Sequence, residues 1–113
     1  MTAQFRPFDV VAVAVGEGSS VRRRPALVVS NPDFENATGL IWVAMITTPD
    51  HERRFGDIPI GDQVAAGLPA PSVIRASKLA TLPIGKIKRR LGSLTETDRA
   101  GARVALRASA AFV

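Results

Sequence analysis

The sequence predicts a small, mainly β domain, a barrel or a sandwich, with one helix at its C-terminal end. Three observations predict it. Short apolar runs rich in Val, Ile and Leu recur along the chain, bounded by Gly, Pro, Asn or Ser, which is the pattern of short strands joined by tight turns. No internal repeat, low-complexity tract or linker interrupts them, so residues 1–113 read as a single domain. Only the last stretch changes character: from Glu96 to Phe112 helix formers dominate, many of them Ala, with no proline among them.

The elements follow in order. Asp9 to Val15 alternates large and small apolar residues and reads as a first strand; Gly16 to Ser20 is a flexible loop. Arg24 to Ser30 is a second strand. Pro25 has no N–H for a ladder, so it suits the start of a strand, and it pushes Arg24 towards an extended backbone. Asn31 followed by Pro32 reads as a helix cap with proline at the first helical position, enough for a single turn through Asn36. Leu40 to Thr47 is the most apolar stretch and predicts a central strand, and Pro49 to Arg54 is a polar loop. Phe55–Ile60, Pro71–Ala76 and Lys86–Leu91 predict three more strands, the last with Ile87 and Leu91 inward and its lysines outward. Thr95 to Asp98 resembles a capping box with Asp in place of Glu. In the helix that follows, Ala100, Val104, Ala108 and Ala111 are expected to pack on the sheet. Arg99, Arg103 and Arg107 form a basic stripe, which is either a solvated face or a binding surface.

Charge narrows the function. Fifteen Lys and Arg oppose ten Asp and Glu, a formal net charge of +5. The excess clusters at Arg22–Arg24, at Arg53–Arg54, and at Lys86, Lys88, Arg89 and Arg90. This balance favours a polyanionic partner, nucleic acid or an acidic peptide. Five Phe, one Trp and no Tyr are too few rings for a broad base-stacking platform. There is no cysteine and one histidine, so disulfides, thiolate metal sites and a cysteine nucleophile are excluded, and neither a metal nor a cofactor is expected. No apolar run approaches the length of a membrane span and the N-terminus lacks a signal core, so a cytoplasmic protein with no membrane contact is expected.

Several segments carry a resemblance when taken together. These are Phe8-Asp9-Val10-Val11, Arg24-Pro25-Ala26-Leu27-Val28-Val29, Ile46-Thr47-Thr48, Gly67-Leu68 with Pro71-Ser72-Val73-Ile74-Arg75, Lys78-Leu79-Ala80-Thr81-Leu82, and Leu91-Gly92-Ser93-Leu94 leading into the helix. In this order and spacing, from Phe8 to Ala108, the chain resembles the MazF/PemK family of bacterial toxin endoribonucleases. The resemblance implies an SH3-like small barrel of the MazF/PemK/CcdB type with a C-terminal α-helix. It also implies metal-independent cleavage of single-stranded RNA by attack of the ribose 2′-OH on the adjacent phosphorus.

That chemistry needs a base, an acid and cations to stabilise the charge on phosphorus. By resemblance, Arg24 and Arg75 are the catalytic arginines and Thr47 contacts the reacting phosphate. Ser77 stands where the PemK branch often carries an Asp assigned as general base, and Phe8 stands where Gly is usual. His51, the only histidine, lies in the loop after Thr47 and is either a plain loop residue or a substitute for that base. Arg22, Arg23, Pro25, Thr48, Arg53, Arg54 and Lys78 are expected RNA contacts. The loops at Gly16–Val21 and Pro49–Arg54 are expected to set the recognised sequence. Expected partners are single-stranded RNA, a cognate acidic antitoxin and a second copy of the chain, with the interface near Lys86–Leu91 and the C-terminal helix, where Leu106 and Phe112 add apolar surface. The alternative is a catalytically weak or inactive member of the same fold that binds RNA, or acts through protein contact as CcdB-like toxins do.

Overall fold

The computed structural model describes residues 3–49 and 54–111. Six antiparallel strands form one sheet: β1 (Asp9–Val15), β2 (Arg22–Val28), β3 (Leu40–Thr47), β4 (Asp57–Pro59), β5 (Val73–Pro83) and β6 (Ile87–Ser93). Their order across the sheet is β4-β5-β3-β2-β1-β6. Helix α1 (Pro32–Thr38) joins β2 to β3, and α2 (Glu96–Ser109) ends the described chain. The mainly β class with a C-terminal helix is as the sequence predicts.

Alternation along the strands builds two apolar clusters on opposite faces of the sheet. Val10, Leu27, Ala44, Ile46 and Ile74 point to one, which is roofed by Ile60, Ala66 and Leu68 and by Ala102 of α2. Val11, Val13, Ala26, Val28, Ile41, Val43 and Ile87 point to the other, under Phe5. Buried Glu35 of α1 accepts hydrogen bonds from the backbone N–H of Gln4 (2.7 Å) and Phe5 (3.2 Å), so the polar end of α1 pins the N-terminal segment over that second cluster.

Element boundaries differ from the sequence expectation where tertiary pairing overrides local signals. β2 begins at Arg22, not Arg24: the three arginines pair with Val15, Ala14 and Val13 of β1, which carries the strand outward. Pro25 is therefore mid-strand. It is tolerated because pairing with β3 starts only at Ala26, so no ladder bond is lost on that side. The Gly16–Ser20 loop folds into a 3₁₀ turn closed by Ser20 N–H on the Glu17 carbonyl (3.0 Å). The expected single turn after Asn31 runs on to Thr38, capped by the Asn31 side chain accepting from Phe34 N–H and stopped by Gly39 at φ 69°. β4 is shorter than Phe55–Ile60, and β5 continues past Ala76 to Pro83 because β3 is long enough to pair with both its halves.

The C-terminal helix buries a different face from the one expected. Ala102 is fully buried and Ala105, Leu106 and Ala110 are partly covered, whereas Ala100, Val104, Ala108 and Ala111 are exposed, Val104 by 69%. The arginine stripe explains the rotation: the Arg103 guanidinium lies over the Phe8 ring (4.9 Å to the centroid), and Arg99 donates to the Leu94 carbonyl and the Ser93 hydroxyl. Two of the three arginines thus face the sheet edge. Thr95 caps the helix by accepting from Asp98 N–H, but the Asp98 carboxylate accepts from the backbone of Gly61 and Asp62 instead of closing the capping box. Phe8 has φ 70°, a left-handed conformation that glycine adopts without strain; its N–H donates to the Val28 carbonyl and its carbonyl accepts from Leu94 N–H, and these contacts hold a conformation costing roughly 1–2 kcal/mol.

Candidate active site

Register decides which of the expected site residues meet. One row of paired residues crosses the whole sheet: Asp57, Arg75, Met45, Ala26, Val11 and Arg90. Paired residues project to the same face, so Arg75 shares the face of Met45 and Ala26. Two residues along each strand lies the next row on that face. There Thr47 pairs with Val73, and Arg24 pairs with Val13. Extending the β2–β3 register by two residues beyond Ala26 and Met45 sets Arg24 level with Thr47. Arg24, Thr47 and Arg75, distant in sequence, therefore share one face at one end of the sheet. Strand spacing and rise put the Arg24 and Arg75 Cα atoms on the order of 12 Å apart.

The two arginines differ in setting. Arg24 is exposed, and no carboxylate pairs with it among the described residues. Arg75 is 5% exposed and sunk in the sheet. Its Nε and Nη2 donate to the two carboxylate oxygens of Asp57, each at 3.0 Å, a bidentate pair between adjacent strands. The Arg75 hydrogen bonds hold the Asp57 carboxyl below the ordinary carboxylate range; the Arg54 backbone N–H and both positive charges add to this, and burial opposes it. Asp57 is thus ionised and fully engaged, a poor proton acceptor. Sequence reasoning missed it, because its side of β4 becomes visible only once β4 is registered on β5.

Ser77 and Lys78 are exposed, and they occupy an irregularity. The β3–β5 register jumps between Ala44–Leu79 and Met45–Arg75, so Ala76, Ser77 and Lys78 have no partner on β3. This bulge bends β5 and throws Ser77 out of the Arg75 row. Ala76 N–H is satisfied by the Gly56 carbonyl (3.2 Å). Arg22 and Arg23 are exposed at the start of β2, Pro25 is half-buried between Arg24 and the core, and Thr48 and Arg54 are exposed beyond β3 and before β4. His51 and Arg53 lie outside the described residues. The basic residues Lys86, Lys88, Arg89 and Arg90 are all exposed; Arg90 pairs with Asp9 (3.2 Å) and Lys88 donates to the Gly85 carbonyl. No helix among the described residues is long and apolar enough to cross a membrane.

Comparison with known proteins identifies the architecture. The family of PemK-like, MazF-like toxins of type II toxin–antitoxin systems matches residues 6–109. The chain belongs to that family. The toxin is 30% identical over 94 residues to the probable endoribonuclease MazF of Mycolicibacterium smegmatis, a match spanning 83% of this chain and 85% of that protein. Among solved structures, the toxin is similar to a mycobacterial endoribonuclease in complex with its cognate antitoxin, at a TM-score of 0.75 and 20% identity over 93% of each chain. It is similar to a chain of a MazE–MazF structure from Deinococcus radiodurans as well, at a TM-score of 0.74 and 19% identity over 93% of this chain and 94% of that chain. These two likenesses establish a shared fold.

Proposed function

We propose that this chain is a sequence-specific, metal-independent endoribonuclease toxin that cleaves single-stranded RNA in the cytoplasm and is neutralised by a cognate acidic antitoxin. The observation that carries the reading is the shared face of Arg24, Thr47 and Arg75, with Arg24 open to solvent and Arg75 fixed by Asp57. Family membership and the Mycolicibacterium relative support the activity, and the relatives solved with antitoxin support the partner.

In this mechanism the 2′-oxygen attacks the neighbouring phosphorus while its proton passes to a base. The bond from phosphorus to the 5′-oxygen breaks, and that oxygen takes a proton. The products are a 2′,3′-cyclic phosphate and a 5′-hydroxyl. Arg24 follows the phosphoryl oxygens as charge builds, Thr47 donates its hydroxyl to one of them, and buried Arg75, held by Asp57, orients the site behind both. With Ser77 in place of a carboxylate and Asp57 tied to Arg75, His51 is the proposed proton acceptor. Dimerisation along α2, which leaves Arg89 of β6 open, and entry of an acidic antitoxin tail into the RNA site, complete the proposal.

The test is incubation of the pure protein with long single-stranded RNA in excess EDTA, followed by end-group analysis. Cyclic phosphate and 5′-hydroxyl ends are expected. A strict need for divalent cations, or 5′-phosphate ends, overturns the mechanism; RNA binding without any cleavage selects the inactive alternative that Ser77 leaves open.

A further inference from the structure

A second basic cleft opens on the opposite face of the sheet and begins at Arg24 itself. It has a volume of about 610 Å³, and its lining includes Arg23, Arg24, Arg89, Val64, Leu68 and Pro69. The register explains why these residues meet. Pro25 pairs with Ala12 and Ala12 pairs with Arg89, so Arg89 projects to the side of the sheet shared by Pro25 and, two residues away, Arg23. Neither Arg23 nor Arg89 has an ion-pair partner among the described residues, and both are exposed. Opposite them stands an apolar wall: Val64 is 83% exposed and Pro69 is exposed, while Leu68 anchors the wall in the core.

The wall is built to be rigid. Asp98 of α2 accepts both the Gly61 and Asp62 N–H groups at 2.9 Å, and Ser93 N–H donates to the Ala65 carbonyl. Gly67, at φ 73°, lies so close to β6 that a Cβ there would overlap the Leu91 carbonyl. Gly92 packs with similar closeness under Ala65 and Ala66. A loop held this firmly against β6, yet exposing a valine and a proline towards the exposed arginines of the cleft, has the make-up of a ligand surface. Cations on one side suit phosphate and an apolar wall on the other suits a base; the volume falls within the range of about 300–1,000 Å³ usual for small-ligand sites.

We propose that this cleft holds the nucleotide adjoining the scissile phosphate, with its phosphate on Arg23 and Arg89 and its base against Val64 and Pro69. Resting on the endoribonuclease reading, this assigns the strand a course: from Arg24 on one face, past the unpaired β3-side edge of Arg22–Pro25, to Arg89 on the other. An acidic protein segment would satisfy the arginines but gains less than a flat base does from a short, stiff apolar wall, so RNA is the occupant the cleft favours.

The test uses a mixed-sequence single-stranded oligoribonucleotide carrying 2′-O-methyl groups, which cannot be cut because the attacking hydroxyl is blocked. Its binding to the intact protein is followed by fluorescence anisotropy over a salt series. Arg89→Ala is expected to weaken binding about 5-fold or more at low salt and to reduce the slope of log K against log salt by about 0.7, the value of one single-strand phosphate contact. Val64→Ser is expected to weaken binding with the slope unchanged. Both side chains are exposed, so thermal unfolding should match the parent protein. Wild-type affinity and slope in both variants overturn the assignment. Loss of affinity for an acidic antitoxin peptide alone, with RNA binding intact, also overturns it and leaves RNA cleavage standing. RNA binding that depends on Arg89 in a protein that cleaves no unmodified RNA supports the cleft and overturns the endoribonuclease reading instead.

Discussion

Both carboxylate oxygens of Asp57 accept hydrogen bonds from the guanidinium of Arg75, each at 3.0 Å, across the β4–β5 pair. The two side chains are 7% and 6% exposed. Because β4 is only three residues long, this pair adds a side-chain tie between the edge of the sheet and the start of β5. Arg75, proposed as the second catalytic arginine, is therefore a structural residue as well, and the two roles separate experimentally.

Asp57→Asn removes the charge partner of a buried arginine and should destabilise the fold by about 3 kcal/mol, read by chemical denaturation at pH 7. The pH dependence follows from the sign of the shift. The folded-state Asp57 pKa lies below the unfolded value of about 3.9, so its contribution is complete above that value and is lost as pH falls through the lower folded value. The stability gap between wild type and Asp57→Asn should be constant from pH 7 to about 5 and shrink in more acidic solution. A gap that widens on acidification contradicts the assignment.

Arg24→Ala should leave the thermal unfolding midpoint nearly unchanged, because the side chain is exposed, and lower kcat on the order of 10²-fold or more. Arg75→Ala should lower both activity and stability. Thr47→Ala should have a smaller effect on kcat than either arginine. Single-turnover cleavage of a defined RNA, alongside unfolding curves, distinguishes the three; near-wild-type cleavage by a folded Arg24→Ala protein removes Arg24 from the site.

The proton acceptor is open to a paired test. His51→Ala should slow cleavage and flatten the pH–rate profile between about pH 5.5 and 7.5. Ser77→Asp places a carboxylate in the β5 bulge, and it should restore rate in the His51→Ala background if the bulge reaches the substrate. Profiles of unchanged shape in both variants would assign catalysis to positioning and charge stabilisation alone.

Gly67→Ala tests the contact that shapes the second cleft. A Cβ at φ 73° would collide with the backbone carbonyl of Leu91, so the loop must move off β6. A loss of about 2–4 kcal/mol in unfolding free energy is expected, together with faster hydrogen exchange at Ser93 N–H, which bonds to Ala65. Gly39→Ala, at φ 69° and with nothing within 4 Å of a Cβ, is the matched control and should cost only the left-handed strain of roughly 1–2 kcal/mol.

Local chemistry made much of this protein legible before any coordinates. The alternation of Asp9–Val15 and the run Leu40–Thr47 appear as β1 and β3 with the same limits, because a buried strand needs a pattern that few other structures satisfy. The Asn31-Pro32 start of α1 and the Thr95 cap of α2 were equally plain, since capping is a matter of a few adjacent atoms. Arg24, Thr47 and Arg75 were recognisable as a set by resemblance, although nothing local says that they share a face.

Three things were decided only by the tertiary structure. The buried face of α2 is set by where Phe8, Gly61 and Asp62 present partners to Arg103 and Asp98, and alanine spacing carries no such information. The extension of β2 through three arginines depends on β1 offering pairing partners as far as Val15. The Asp57–Arg75 pair and the meeting of Arg23 with Arg89 depend on strand register, in which a shift of one residue would send each side chain to the other face. Composition and periodicity determined which segments are strands and that the surface is basic. Register, a property of pairs of segments and of neither one alone, decided which charges are neutralised in the core and which remain open to a ligand.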